Sequence, residues 1–250
     1  MQPRLPIPLH GWRVFVGEVG IIVLGVLIAL GAQRAVEELK AQSEIRATEA
    51  ALEEEIMDSV EVADERLAVS PCLRIRLAEL GTKLARSHGQ WRGDPMRLGD
   101  QNAGNSGVLP VAYRTPRKYL RTDAWDTAKT GGVLDHFARE RVAAYSEIYT
   151  QIAHMQQLSD IERGEVPTLA FLSFDGPLDP QSRNRAIDTL AQLDSINLHL
   201  VIGGTNLKQA TENLQLEFSP VQGRAVANLI HRARKVYGNC VGGRRKWRAR

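Results

Sequence analysis

Val14 to Ala32 is a stretch of 19 residues, VFVGEVGIIVLGVLIALGA, with one ionisable side chain, Glu18. As a helix rising 1.5 Å per residue it spans roughly 28 Å, close to the ~30 Å hydrocarbon core of a bilayer. It is apolar on every face, which a surface helix of a soluble domain is not. No other stretch competes, since Leu169–Phe174 and Leu198–Ile202 are far too short. The reading is a single transmembrane helix over residues 14–32, preceded by a short segment, 1–13. A cleaved signal peptide is the rival: Arg4 and Arg13 would form its charged start and Ala29-Leu30-Gly31 its cleavage site. The length of the run, and Glu18 within it, speak for retention.

Glu18 lies about one turn from the start of the span, within reach of the headgroups. Its other reading is a functional charge inside the membrane. Gly17, Ile21, Gly25, Ala29 and Ala32 follow helical spacing and form a small-residue face that permits close helix pairing and a homo-oligomer. The competing explanation is that glycine and alanine are common in membrane helices. Arg4 and Arg13 before the span nearly balance Arg34, Lys40 and Arg46 after it, so charge alone leaves the orientation open.

The remainder has an ordinary composition. Over the 250 residues, 43% are apolar and 24% charged. This excludes wholesale disorder and a multi-span transporter. Aromatic residues are 6%, too few for a stacking platform that binds single-stranded nucleic acid. Leu52, Ile56, Val60, Ala63 and Leu67 recur at helical spacing, and Ser70-Pro71 is expected to stop this first long helix. Leu73, Leu77, Leu80 and Leu84 then mark a second helix, fading near Ser87–Gly89. Residues 89–121, rich in glycine and proline, read as one long irregular loop, with a short extended piece at Val108–Tyr113.

Thr122 or Asp123 can cap a short helix that Gly131-Gly132 ends. Asp135 can cap the next helix, lined by Phe137, Val142, Tyr145, Tyr149, Ile152 and Met155 and running to about Arg163. A short apolar segment, Val166–Ser173, follows. Asp179-Pro180 opens a long helix in which Gly203-Gly204 could kink, and Ser219-Pro220 opens the last, which Gly238 ends. No run of alternating strands is evident. The expected fold class is all-α: an antiparallel helical bundle over residues 33–240, continuing from the transmembrane helix, with a basic tail at 241–250.

Charge is strongly segregated. Glu37–Arg66 holds eleven acidic and three basic residues; Arg224–Arg250 holds nine basic residues and no acidic one. The acidic helix reads as a solvated face or as a partner for the basic last helix. The tail, GGRRKWRAR, reads as a solvated end, a contact for anionic lipid with Trp247 at the interface, or a nucleic-acid contact. The last is the weakest, and no nucleic-acid partner is expected outside the cytoplasm.

Motifs that carry chemistry are missing. None of the six histidines lies within four residues of another, so no local metal motif exists. Gly104-Asn105-Ser106-Gly107 lacks the nucleophile-elbow spacing, and neither a P-loop nor a G-x-G-x-x-G run is present. Glu53-Glu54-Glu55 points around its helix. No catalytic residue, cofactor or metal is expected, although a hydrolase using the long loop would need His88 or His136 near Ser106. The most distinctive segment is Thr122–Gly131, with Trp125 on a short helix. Trp125 reads either as an anchor docking that helix against Tyr145 and Tyr149 or as a ligand contact.

Gly17-Glu18-Val19 through Leu30, the Trp-x-x-x-x-x-Gly helix and the tyrosine pair Tyr145–Tyr149 resemble a bacterial family of uncharacterised single-span membrane proteins, a domain of unknown function. The resemblance implies an N-terminal anchor and a helical extracytoplasmic domain, and transfers no active site. With it, the expectation is a non-enzymatic domain anchored in the bacterial inner membrane through residues 14–32. Its bulk would be periplasmic, and it would act through contacts with an envelope protein. The alternative is a ligand-sensing bundle with a separate signalling partner and a pocket near Trp125 or Tyr149. Cys72 and Cys240 are the only cysteines. On the periplasmic side they are expected to form a disulfide; in a cytosolic chain they would be two unrelated small apolar residues.

Overall fold

The computed structural model describes residues 12–96, 109–116 and 118–242, with side chains from Phe15 onward. Two compact units make up the chain, residues 1–49 and 50–250. The described part of the first unit is helix throughout. Its surface polar residues pair along the helix, as where Gln33 Nε2 donates to Glu37 Oε1 over 2.8 Å.

Among the described residues the fold is all-α, with five α-helices and one small sheet. Helix α1 runs from Trp12 to Arg86, and β1, Gly89–Trp91, follows it. Then come α2 (Asp123–Gly131), α3 (Arg139–Glu165), β2 (Gly176–Leu178), α4 (Pro180–Asn213) and α5 (Pro220–Tyr237). Val166–Ser173, which reads as an apolar segment, forms 3-10 turns that bury Leu169 and Leu172.

The helix boundary expected at Ser70-Pro71 does not exist: α1 passes through Pro71. Proline removes one N–H and crowds the preceding turn, and tertiary burial overrides that cost here. Val69, Cys72, Leu73 and Leu77 on either side belong to one core with Leu190 and Leu193 of α4 and Val226 and Ile230 of α5. Pro71 also leaves the Leu67 carbonyl without its helical donor, so the ladder is open at this level. The adjacent Ala68 carbonyl accepts the Gly242 N–H over 2.8 Å.

Other helix ends follow their caps. Asp179 accepts from the Ser182 N–H, and Ser219 and Gln222 form a reciprocal capping box at α5. Hydrogen bonds from Ser182 hold the Asp179 carboxyl below the usual range. Gly132, at φ 72°, closes α2 in the left-handed conformation. At α3 the cap lies elsewhere than expected, and at α2 the N-cap residue is Thr122 as expected but makes no side-chain cap. Asp135 lies within a 3-10 turn, and α3 begins at Arg139. Neither Thr122 nor Asp123 caps α2 through its side chain. Instead the Glu55 carboxylate of α1 accepts the Ala124 N–H at 3.1 and 3.2 Å. A carboxylate at a helix N-terminus also complements its dipole.

The pair Gly203-Gly204 serves close packing within an unbroken α4. A Cβ at Gly203 would lie 2.9 Å from Met155 Cγ of α3, and one at Gly204 3.3 Å from Ala63 Cβ of α1. The described parts of residues 89–121 are less irregular than expected. β1 pairs antiparallel with β2, Trp91 opposite Gly176, in pieces too short to show alternation. Trp91 is buried and its Nε1 donates to the Leu172 carbonyl over 2.8 Å. Ala112, Tyr113 and Leu120 are buried as well. Residues 97–108, including the Gly104–Gly107 turn and Ser106, lie outside the described residues, as do 1–11 and 243–250.

Candidate functional site

Within the first unit, the apolar run leaves its side chains uncovered. Ile21 is 74% exposed and Ile28 64%, and the most apolar 18-residue window, mean hydropathy 2.4, has no buried residue. Gly17, Gly25, Ala29 and Ala32 are exposed on this helix, and an added Cβ at Gly17 or Gly25 would meet nothing within 4 Å.

Within the second unit the two cysteines are joined. Cys72 on α1 and Cys240 just beyond α5 form a disulfide with Cα atoms 5.2 Å apart, closing 168 residues. Val241 is buried beside them in the core, and Gly242 is held on Ala68. The C-terminal end of α5 is therefore fastened by a covalent bond, an apolar side chain and a backbone hydrogen bond.

Trp125 is nearly buried and stacks on Tyr149, ring centroids 5.0 Å apart and 7° from parallel. Lys129 Nζ lies 5.8 Å from the Trp125 ring centroid. The Tyr149 hydroxyl donates to the Leu52 carbonyl over 3.1 Å. Burial, with the Glu55 carboxylate nearby, raises the Tyr149 pKa well above the ordinary tyrosine value. Tyr145 is fully buried, and its hydroxyl meets Arg141 Nε at 3.1 Å and Glu53 Oε1 at 3.3 Å. Trp125, Tyr145 and Tyr149 are thus brought to one region of the fold, where short helix α2 meets α1 and α3. None of the three lines either of the two clefts along α1.

The acids of α1 are distributed among several elements; no salt bridge among the described residues runs to the basic helix α5, although the Arg232 charge of α5 acts on Glu65 against the upward push of its burial. Glu53 pairs with Arg141 of α3, Glu61 with Lys118 and Asp64 with Lys208 of α4. Arg66 makes a two-pronged bridge to Glu162 of α3, 2.8 and 2.6 Å, with both side chains at least nine-tenths buried. The buried Tyr113 hydroxyl has no hydrogen-bond partner among the described residues, and burial with the nearby Glu162 charge drives its pKa far above 10. A second ionic group ties the segment after β1 to α1. Arg76 and Lys83 hold Asp94 at 3.1 and 2.6 Å, and together they outweigh its burial and depress its carboxyl pKa. Sequence reasoning missed all of these pairs because their partners are distant in the chain.

Two open clefts flank the exposed acids of α1. One, about 510 Å³, lies among Glu54, Asp58, Glu61, Lys118, Arg121 and Asp123. The other, about 740 Å³, lies between Glu53–Glu61 and the segment Gln215–Ala225. Both are rimmed by charge rather than enclosed by apolar walls, unlike a typical small-molecule pocket. Among the described residues, no three histidine, cysteine or acidic side chains are grouped to hold a metal.

No family model matches this chain, and no similar protein was found among curated proteins or among solved structures.

Proposed function

We propose that this chain is a non-enzymatic helical domain held in the bacterial inner membrane by residues 14–32 and acting through contacts with another envelope protein. One observation carries the reading: the 18-residue window of mean hydropathy 2.4 leaves every residue uncovered. Such a surface needs a non-aqueous neighbour, and its length suits a bilayer. The helices of the second unit are read as an antiparallel bundle on that anchor.

The Cys72–Cys240 disulfide supports a periplasmic position for the bulk, since structural disulfides persist in oxidising compartments. The resemblance to single-span proteins with an extracytoplasmic helical domain favours the same topology. Contacts by protein surface, rather than catalysis, suit a second unit whose clefts are open and charged.

Two measurements test the reading. The full-length chain should stay with membranes through a carbonate wash, and protease added to spheroplasts should digest it. Release of a shortened chain beginning near Ala32 would refute the retained anchor. Complete protection in spheroplasts, with digestion only after lysis, would refute the orientation.

A further inference from the structure

The 740 Å³ groove of the second unit has an uneven make-up. Its wall on α1 carries Glu53, Glu54, Asp58 and Glu61, and Glu217 faces them from the turn before α5. No lysine or arginine among the described residues lines it. Its apolar residues are Met57, Leu216, Phe218 and Val221, the last 66% exposed. Glu54 and Glu217 have no ion-pair partner among the described residues. Burial and the charges of Glu61 and Glu54 raise the Asp58 pKa, against a hydrogen bond from Gln222 and the charge of Lys118 in the adjoining cleft. A groove of this kind suits a cationic segment that carries one apolar anchor.

The chain contains such a segment. Residues 243–250 read GRRKWRAR, five cations around Trp247 with no acid. Their point of departure is fixed, because the Gly242 N–H is bonded to Ala68. Glu54, Met57, Glu61, Glu65 and Ala68 follow each other at spacings of three and four, so Ala68 continues the face of α1 that bears the groove. Along that face Ala68 is about 15 Å from Asp58 and about 21 Å from Glu54. Eight residues extend to about 26–29 Å. The segment therefore reaches the whole groove without any change in the described fold.

We propose that this groove is the docking site of the chain's own residues 243–250, with Trp247 over Met57, Phe218 and Val221 and the flanking cations on Asp58, Glu54 and Glu217. In this arrangement the disulfide fixes the end from which the segment departs, keeping it close to the groove and at high effective concentration.

Zero-length carbodiimide cross-linking of the full-length chain, in detergent at low salt, tests this directly. Lys246 is the only lysine in the segment, and it should couple to Glu54, Asp58 or Glu217 within one chain. An equal mixture of heavy- and light-isotope chains separates intrachain from interchain products. Products joining heavy to light chains, coupling of Lys246 to carboxylates elsewhere, or no coupling of Lys246 would each overturn the proposal.

A second measurement uses a fluorescent peptide of residues 242–250. It should bind a full chain ended at Gly242 at least tenfold more tightly than the intact chain, whose own segment competes. Combining Glu54→Gln, Asp58→Asn and Glu217→Gln in the shortened chain should weaken binding at least tenfold. Equal binding to all three proteins would overturn the proposal, as would no binding to the shortened chain. Both assays read the second unit, so failure of the anchor reading would not change their outcome.

Discussion

Removing the Glu162 carboxylate from beneath Arg66 should be among the most damaging single changes in this protein. The two side chains are 6% and 2% exposed, and their two hydrogen bonds join α1 to α3. Glu162→Ala leaves a guanidinium without its counter-ion in a site closed to water. Breaking a buried pair from one side costs about 3–5 kcal/mol. For a unit of this size each kcal/mol moves the melting midpoint by about 2–4 °C, so the expected fall is about 6–20 °C. Arg66 Nε has no partner among the described residues even in the intact pair, so the pair is incompletely satisfied. The double variant Arg66→Met, Glu162→Leu should therefore melt within a few degrees of wild type or above it. Thermal unfolding followed by the fluorescence of the buried Trp91 and Trp125, in the full-length chain in detergent, reads all three proteins. A single substitution costing under 1 kcal/mol would refute the reasoning. So would a double variant as unstable as the single, because it would show that packing volume rather than uncompensated charge sets the cost.

Further consequences can be measured in the same way. Non-reducing electrophoresis after alkylation should show a fast-migrating band that slows on reduction, and Cys72→Ser should abolish the shift. Loss of a bond closing 168 residues costs at most about 5 kcal/mol in the chain-entropy model; an unchanged melting midpoint on reduction would deny the bond a stabilising role. Trp125→Ala should cost about 3–5 kcal/mol, the usual range for a buried tryptophan, and Trp125→Phe much less. Similar costs for both would show that the ring stack on Tyr149 is not what holds α2. Asp94 has a folded pKa below the ordinary 3.8. Its contribution is present above the unfolded pKa and is lost as pH falls through the folded value. Asp94→Asn should therefore lower stability at neutral pH while removing part of the acid-side decline below about pH 4; parallel pH curves for the two proteins would contradict this.

The helical stripes were legible because burial follows a 3.6-residue period. Leu52, Ile56, Val60 and Ala63, and the leucines at 73, 77, 80 and 84, are buried as spaced, while Leu67 of the same stripe is only half-buried. The caps at Asp179 and Ser219 were legible because donor and acceptor lie three residues apart. What distance in sequence conceals was not. Glu55 caps a helix that begins 68 residues later, and Trp91 bonds a carbonyl 81 residues away. Pro71 misled because local propensity names a helix end where a core on both sides holds the helix together. The pairing of Cys72 with Cys240 was approachable, since both positions fall at expected element ends, one wrongly inferred and one right.

The acids of α1 can be sorted by what the fold requires of them, and that sorting is itself a prediction. Glu53 holds Arg141, Glu55 caps α2, Glu61 holds Lys118 and Asp64 holds Lys208. Each of these joins α1 to another segment of the second unit. Glu54 and Asp58 join it to nothing by an ion pair, and Asp58 is raised in pKa by burial and by its acidic neighbours. A carboxylate whose ionised form is disfavoured in the folded chain does not stabilise that chain by being charged. Asp58→Asn and Glu54→Gln should therefore change stability by no more than about 0.5 kcal/mol, as exposed substitutions do. Asp64→Ala removes the nine-tenths-buried partner of Lys208 and should cost about 3 kcal/mol or more. Parallel melts of these variants give the ranking. If Glu54→Gln or Asp58→Asn proved as costly as Asp64→Ala, their charges would belong to the fold. A neutral result leaves them as charges the fold does not need, on an acidic face of α1 open to a cationic segment.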